Sequence, residues 1–187
     1  AVAAVFPFLH VPGPDAGCNA ATLLYELSLH HYVLGLEYAR SPYAYHTLGS
    51  CLAVRADAYS KVRGFPRRAG GEDFYLLNKL AKLGPVARSR GLCIELESRA
   101  SHRVPFGTGP AVAKIAASAT PGQLALFYHP ACFQALRELL AALPALVEDQ
   151  SLELAAVLAD KNLPAELRAA VLRCLAQLGL ASALAHC

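Results

Sequence analysis

Two adjacent carboxylates, Glu72 and Asp73, stand where the chain passes from a glycine pair, Gly70-Gly71, into a helical pattern. In the first turn of a helix, the unpaired backbone amides and the helix dipole favour the ionised form of a carboxyl group. Such a group can accept a proton from a hydroxyl at neutral pH, so Asp73 is the candidate general base. Glu72 is expected to hold the loop, cap the helix or bind a substrate hydroxyl.

On its own this dipeptide also fits a purely structural role, because acidic residues in a first turn stabilise a helix of any function. The residues before it favour chemistry. A run of small and apolar residues ends at Arg55, a Gly64-Phe65 turn follows, and the glycine pair then leads to the acids. With the predicted strand, the turn and the glycines included, the catalytic interpretation is favoured.

Strands and helices are predicted to alternate around these residues. Prolines and glycines favour a loop over residues 1–18, and helical spacing of apolar residues predicts a helix over 19–36 with Asn19 as N-cap and Gly35 at its end. The further predictions are a central strand within 47–54, a short helix over 57–62, a helix from Glu72 with Phe74, Leu77 and Leu80 inward, a strand over 93–97 and a helix over 110–118.

The final third is rich in Ala and Leu and predicts helices over residues 123–142, 146–158 and 165–185, with a break at Pro144. The chain is therefore expected to be α/β, with a first domain over residues 1–120 and a helical C-terminal region over 121–187.

The composition argues against several protein classes. A net charge of +3 with interspersed basic residues does not indicate nucleic acid as a partner. No apolar run approaches the ~20 residues of a membrane-spanning helix. The six cysteines show no C-x-x-C spacing, which predicts reduced and mostly buried thiols. The start does not resemble a secretion signal and the chain has no Met, so a cytoplasmic fragment of a longer protein is expected.

Residues 48–55, 62–66 and 70–84, taken in this order, resemble the family 2 glycosyltransferases. In that family a small-residue strand ending in Arg leads to a short helix, a Gly-Phe turn, a Glu-Asp pair that opens a helix, and a glycine that closes it. The resemblance implies a partial GT-A fold, a mixed sheet with flanking helices. The residues that carry it are Gly49, Ser50, Arg55, Gly64, Phe65, Glu72, Asp73 and Gly84.

By this resemblance, Asp73 would deprotonate an acceptor hydroxyl while a nucleotide diphosphate leaves the anomeric carbon of the donor sugar. Gly49, Ser50 and Arg55 would contact substrate, with Mg²⁺ or Mn²⁺ as cofactor. The implied partners are a nucleotide-sugar donor and a carbohydrate or lipid-linked acceptor. The donor-binding half is expected outside this chain, because no Asp here has a second Asp two positions away.

A polar loop, residues 98–109, follows the predicted strand over 93–97 and contains Arg99 and Arg103. These arginines and the glycine-framed turn could neutralise a leaving diphosphate through charge-assisted hydrogen bonds and backbone amides. The alternative is a solvated loop whose arginines pair with Glu95 or Glu97.

Two single residues have both a chemical and a structural interpretation. Tyr45 could stack on a sugar ring, but it fits aromatic packing equally well. His102 could complete a metal site, as a late histidine does in some family 2 enzymes, or it could be exposed in its polar loop.

Two interpretations without catalysis also remain. The Ala/Leu-rich helices could make the chain an interaction module that binds a partner through amphipathic surfaces. Alternatively, the chain could be a sugar-binding remnant that keeps carbohydrate contacts without transfer. A sheet edge left uncovered by a missing N-terminal half would also invite self-association.

Overall fold

The computed structural model of the protein describes residues 1–101, 104–121, 124, 126–149, 154–159, 161 and 163–177. The chain divides into two compact units. The first contains residues 1–33 and 45–127, and the second contains residues 34–44 and 128–187. Residues 34–44 therefore belong to the same unit as the C-terminal helices. The predicted division after residue 120 had placed them in the first domain.

The described residues form a mixed α/β fold with short strands, as the sequence predicted. The strands are β1 (Ala3–Val5), β2 (Phe8–Val11), β3 (Leu52–Val54), β4 (Val86–Arg88) and β5 (Ile94–Glu97). The α-helices are α1 (Ala16–Tyr38), α2 (Ala56–Lys61), α3 (Glu72–Ala81), α4 (Thr108–Ala116), α5 (Pro130–Glu148), α6 (Leu154–Ala159) and α7 (Ala165–Gln177), and a 3₁₀ turn covers Gly49–Cys51.

The first unit contains two small sheets. In one sheet β1 lies between β3 and β4, antiparallel to β3 and parallel to β4, with Ala3 opposite both Val54 and Val86. In the other sheet β2 and β5 pair in parallel, with Phe8 opposite Ile94. Consecutive strands β1 and β2 thus enter different sheets.

The loop predicted over residues 1–18 is wrong, because β1 and β2 form there. Each is only a few residues long, and each is stabilised by partners far away in sequence, so local composition gives little sign of it. Pro7 lies between the two strands, where the missing backbone N–H costs no ladder hydrogen bond.

The strand predicted within residues 47–54 is confirmed over its last residues, but it is not central. Gly49–Cys51 forms a 3₁₀ turn, and β3 begins only at Leu52. Among the described strands, β3 lies at one edge of its sheet and β4 lies at the other. The central position belongs to β1, which the sequence analysis did not predict.

The helix that opens with Glu72 and Asp73 is confirmed as α3. Leu76, Leu77 and Leu80 are completely buried and form the centre of the core of the first unit. The prediction that Phe74 faces inward is wrong, since this residue is 46% exposed. Leu76 completes the buried face with Leu77 and Leu80, because it lies one helical turn before Leu80 on the same side of α3.

The helix predicted over residues 19–36 is confirmed as α1, but its cap is different. The Cys18 amide donates to Oδ1 of Asp15 at 2.9 Å, so Asp15 caps the helix at its N-terminus. Asn19 instead donates to the carbonyl of Gly13 and accepts from the Gly13 amide.

Gly35 does not end α1, which continues to Tyr38. A Cβ added at Gly35 would lie 2.3 Å from the Phe133 ring, which is also in the second unit. The glycine is therefore required for close packing inside the helix rather than for a change of chain direction.

The second unit contains α5, α6 and α7, which pack around a core of Ala135, Ala142, Leu158 and Leu163. The predicted break at Pro144 is wrong, because α5 continues through this residue to Glu148. The predicted end of the last helix at residue 185 lies outside the described residues.

No helix in the described part of the chain is long and apolar enough to cross a membrane. Four cysteines have described side chains and are free thiols: Cys18 and Cys51 are buried, whereas Cys93 and Cys132 are exposed.

Candidate functional site

The first unit contains a cavity of about 830 Å³. Segments that are far apart in sequence line it: part of β2, the middle of α1, residues 46–50, the first turn of α3, and the stretch from β5 to the first turns of α4. The cavity therefore exists only once both sheets and these helices have formed.

Asp73 lines this cavity, and two backbone amides hold its carboxylate. Gly49 donates to Oδ2 at 2.8 Å, and Phe74 donates to Oδ1 at 2.7 Å. Among the described residues no basic side chain forms a salt bridge with it. Since each carboxylate oxygen has two lone pairs, both oxygens keep room for a further donor.

Glu72 also lines the cavity and is partly buried. The residue before it, Gly71, is the N-cap of α3 and has a φ of 68°, a conformation that glycine adopts without strain. The glycine pair also makes room for an aromatic ring, because a Cβ added at Gly70 or Gly71 would lie 3.1 Å from Phe106.

Gly49 and Ser50 line the cavity next to Asp73, so the structure brings these predicted substrate contacts to the predicted base. The Ser50 hydroxyl is 3.6 Å from the sulfur of Cys51, which is buried beneath the turn. Burial raises the pKa of the Cys51 thiol. This cysteine is therefore a neutral packing group rather than a nucleophile.

Arg99 lines the cavity and is exposed. Within the described residues it forms no ion pair with Glu95 or Glu97, although both of these acids line the same cavity. The predictions for Arg103 and His102 lie outside the described residues.

The structure does not bring Arg55 or Tyr45 to the cavity. Arg55 is exposed and donates through Nε to Oδ1 of Asp57 at 2.8 Å. This partner lowers the pKa of the Asp57 carboxyl to about 2. Tyr45 is 5% exposed and belongs to the core of the first unit, which is the packing alternative considered for it.

Tyr25 is a cavity residue that sequence reasoning missed. Burial raises the pKa of its phenol, a hydrogen bond with Thr108 opposes this, and the charge of Asp73 raises it further. The phenol is therefore protonated at neutral pH and can donate a hydrogen bond in the cavity. Its position in the apolar pattern of α1 was equally consistent with a core residue.

Three exposed phenylalanines that line the cavity, Phe65, Phe74 and Phe106, were also missed as site residues. They are 43%, 46% and 53% exposed, respectively, and we call them the aromatic rim. They lie in the turn after α2, in the first turn of α3 and in the loop before α4. Exposed aromatic rings at the mouth of a cavity offer flat apolar faces to a ligand.

The wall formed by β2 and residue 46 contains two histidines, His10 and His46. The pKa of His46 is lowered to about 4, chiefly by burial and also by the nearby His30, while the charge of Glu26 opposes both effects. His46 is therefore neutral at pH 7.

No group of three or more His, Cys, Asp or Glu side chains in the described part of the chain has the arrangement of a metal site. The divalent cation that the resemblance implies stays a prediction.

Comparison of the chain with protein-family models, with curated proteins and with solved structures found no match.

Proposed function

We propose that the first unit is the acceptor-binding part of an enzyme that transfers a sugar from a nucleotide-sugar donor to a hydroxyl group, with Asp73 as the general base. The observation that carries this proposal is the position of Asp73 in the cavity, with its carboxylate held by the Gly49 amide. This agrees with the order of motifs that resembles family 2 glycosyltransferases.

The geometry suits proton transfer. A general base must be oriented and must keep a free lone pair directed at the hydroxyl that reacts. The two backbone amides orient Asp73 without an ion pair in the described structure, and they occupy one lone pair on each oxygen. The proton of an acceptor hydroxyl would pass to a remaining lone pair as its oxygen attacks the anomeric carbon and the nucleotide diphosphate departs.

The charge of the described cavity favours a neutral ligand over an anionic one. Its described lining includes the carboxylates of Glu72, Asp73, Glu95 and Glu97, whereas Arg99 is the one arginine or lysine there. A diphosphate would meet net repulsion from these side chains. A neutral acceptor with many hydroxyls can instead donate hydrogen bonds to the carboxylates.

The aromatic rim supports a carbohydrate acceptor. A pyranose ring has an apolar face of C–H groups that can lie on an aromatic ring, while its hydroxyls point to polar side chains. The combination of exposed Phe65, Phe74 and Phe106 with acidic side chains fits this type of ligand. The donor sugar and its diphosphate are then expected to bind mainly to residues other than the described residues that line this cavity.

The acidic lining also favours a second candidate function, a carbohydrate-binding protein that does not transfer the sugar. Such a protein would use the same rim and hydroxyl contacts, and it would need neither a donor site nor a base.

The test is a transfer assay with the full-length protein encoded by the gene, a panel of nucleotide sugars and measurement of nucleotide release. Asp73→Asn keeps the shape and one acceptor oxygen for Gly49 but loses the bond from the Phe74 amide and removes the base, so transfer should fall by roughly 10²–10⁴-fold. The matched control is Asp57→Asn, since Asp57 is exposed and does not line the cavity, and it should retain full activity.

Full activity of the Asp73→Asn variant would disprove the role of Asp73. Binding of glycans by the wild type without release of nucleotide from any donor would favour the carbohydrate-binding alternative.

A further inference from the structure

We propose that His10, oriented by Glu26, is a second binding residue for the carbohydrate acceptor, with Nε2 accepting a hydrogen bond from a sugar hydroxyl that does not react. Glu26 would act as a positioning residue. This inference rests on the proposed function for the class of ligand, and it assigns a part of the cavity separate from the α3 carboxylates.

A single carboxylate oxygen of Glu26 contacts both the backbone amide and the ring of His10. The His10 backbone amide donates to Glu26 Oε2 at 2.7 Å, and His10 Nδ1 lies 2.6 Å from the same oxygen. The side chains of His10 and Glu26 are 8% and 14% exposed, respectively. An ionised carboxylate only accepts hydrogen bonds, so Nδ1 carries the proton in this pair when Glu26 is ionised.

This contact determines what His10 offers to a ligand. With the proton on Nδ1, Nε2 of a neutral imidazole has a lone pair and can accept a hydrogen bond. Nε2 has no hydrogen-bond partner among the described residues. His10 lines the cavity, whereas Glu26 does not. With Nδ1 held by Glu26, Nε2 is the ring nitrogen that remains for a ligand, as it is when a carboxylate orients a metal-binding histidine.

The surroundings of His10 are rigid. Its backbone belongs to β2, where it is paired with Leu96 of β5. The Phe8 ring, which is 4% exposed, meets the imidazole edge to face with centroids 5.7 Å apart. A ring fixed by a strand, a carboxylate and an aromatic neighbour loses little further freedom when a ligand binds, which favours affinity.

A role in stability alone does not account for this arrangement well. Buried polar pairs of this kind can often be replaced by apolar side chains at no cost in stability. His46 supports the interpretation as a ligand-binding wall, since it also lines the cavity and its ring also contacts Phe8, with centroids 5.0 Å apart. His46, which is neutral at pH 7, thus adds a second imidazole to the same wall without adding a positive charge.

The matched control is His30. Its ring stacks on the same Phe8 ring, with centroids 5.4 Å apart, and its Nε2 lies 3.8 Å from Oε1 of Glu26. His30 does not line the cavity. A change at His30 therefore disturbs the same carboxylate and the same aromatic neighbour without removing a ligand contact.

The first measurement is the tautomer of His10 in the wild-type chain, read from long-range ¹H–¹⁵N NMR correlations. We expect the Nδ1–H form, and we expect the Nε2 resonance to shift when methyl β-glucopyranoside, methyl β-galactopyranoside or methyl α-mannopyranoside is titrated in. An Nε2–H tautomer, or no response of His10 to any of these glycosides, would overturn the proposal.

The second measurement is the affinity of variants for the glycoside that binds best. His10→Phe keeps a ring beside Phe8 but has no acceptor nitrogen, so it should weaken binding by about tenfold or more, and Glu26→Gln should weaken it by a similar factor. His30→Gln should bind as the wild type does. Equal affinity in His10→Phe and the wild type would overturn the proposal even if a variant is less stable, provided that its NMR spectrum shows a folded chain.

The two proposals fail differently. In the full-length enzyme, His10→Phe should raise the acceptor KM and leave kcat largely unchanged, whereas Asp73→Asn should lower kcat. Glycoside binding that depends on His10, in a protein whose transfer activity does not depend on Asp73, would leave this inference standing and remove the general base.

Discussion

The amide of Gly49 donates a 2.8 Å hydrogen bond to Oδ2 of Asp73 across 24 residues of sequence. This bond connects the 3₁₀ turn before β3 with the first turn of α3. It orients the carboxylate relative to the cavity and leaves its remaining lone pairs available. Asp73 can therefore be tested by changing a neighbouring backbone group as well as by changing its own side chain.

Replacing Gly49 with proline should remove this bond and displace the Asp73 carboxylate, because the ring Cδ takes the place of the amide hydrogen that points at Oδ2. The preceding Leu48 has extended angles, φ −106° and ψ 116°, which a following proline tolerates. We expect a loss of at least about 1 kcal/mol in the free energy of unfolding and, on the proposed function, a clear loss of transfer activity in the full-length protein. Urea unfolding and nucleotide release measure the two effects.

Gly49→Ala is the control, because it keeps the amide. An added Cβ would lie 3.4 Å from Asp73 Oδ2, which is ordinary contact, so we expect near wild-type behaviour. Equal activity of the proline and alanine variants would show that the bond does not matter for function.

Gly71→Ala should destabilise the first unit by about 1–2 kcal/mol. The φ of Gly71 is 68°, and an added Cβ would also lie 3.1 Å from Phe106. Chemical denaturation gives the free energy of unfolding. Gly91→Ala should be nearly neutral, since the nearest atom would be 3.7 Å away and Gly91 has no positive φ. Similar losses in both variants would argue against strain at the start of α3.

Leu77→Ala should cost about 2–5 kcal/mol in the free energy of unfolding, because it leaves a space in the core around α3. Phe74→Ala, in the same helix, should change stability by only about 0.5 kcal/mol, since Phe74 is 46% exposed. Because Phe74 belongs to the aromatic rim, Phe74→Ala should instead weaken glycoside binding, which NMR titration measures. The reverse order of stability losses would place Phe74 in the core.

The protein should become less stable as the pH falls from 6.5 towards 4, partly because of His46. In the folded state burial lowers its pKa from 6.5 to about 4. In this range the unfolded chain binds a proton at this position and the folded chain does not, so acid favours unfolding. This contribution is fully present above pH 6.5 and is lost as the pH approaches 4.

Thermal unfolding of the wild type and of His46→Gln at pH 7 and pH 5 measures this contribution. The variant should lose less stability between the two values. A constant difference between the two proteins at both pH values would contradict the assignment.

The elements with strong local signals were the ones that sequence reasoning predicted well. The acids after Gly71 begin α3, the alternation of apolar and acidic residues forms β5, and α2 lies within one residue of its expected position. These patterns depend on side-chain periodicity and on helix-start chemistry, which operate over a few residues. The proposed roles of Asp73 and Glu72 stay predictions, although both residues lie where a site would need them.

The elements that sequence reasoning missed depend on distant partners. β1 and β4 are three residues long and pair with each other, so neither has a pattern of its own. Gly35 was expected to end a helix, because a glycine often does so. Its actual neighbour, the Phe133 ring, is almost a hundred positions away in sequence, so no local pattern reveals the contact. Pro144 was expected to break α5, yet the helix continues through it.

The sequence by itself determined where the helices around the acids begin, which residue types can do chemistry, and that the chain belongs to the α/β class. Only the tertiary structure decided that Asp73 meets Gly49, that Arg55 and Tyr45 do not line the cavity, and that Glu26 of α1 contacts His10 of β2. The physical reason is that periodicity and capping are local, whereas strand pairing and side-chain contacts between segments depend on the whole folded unit.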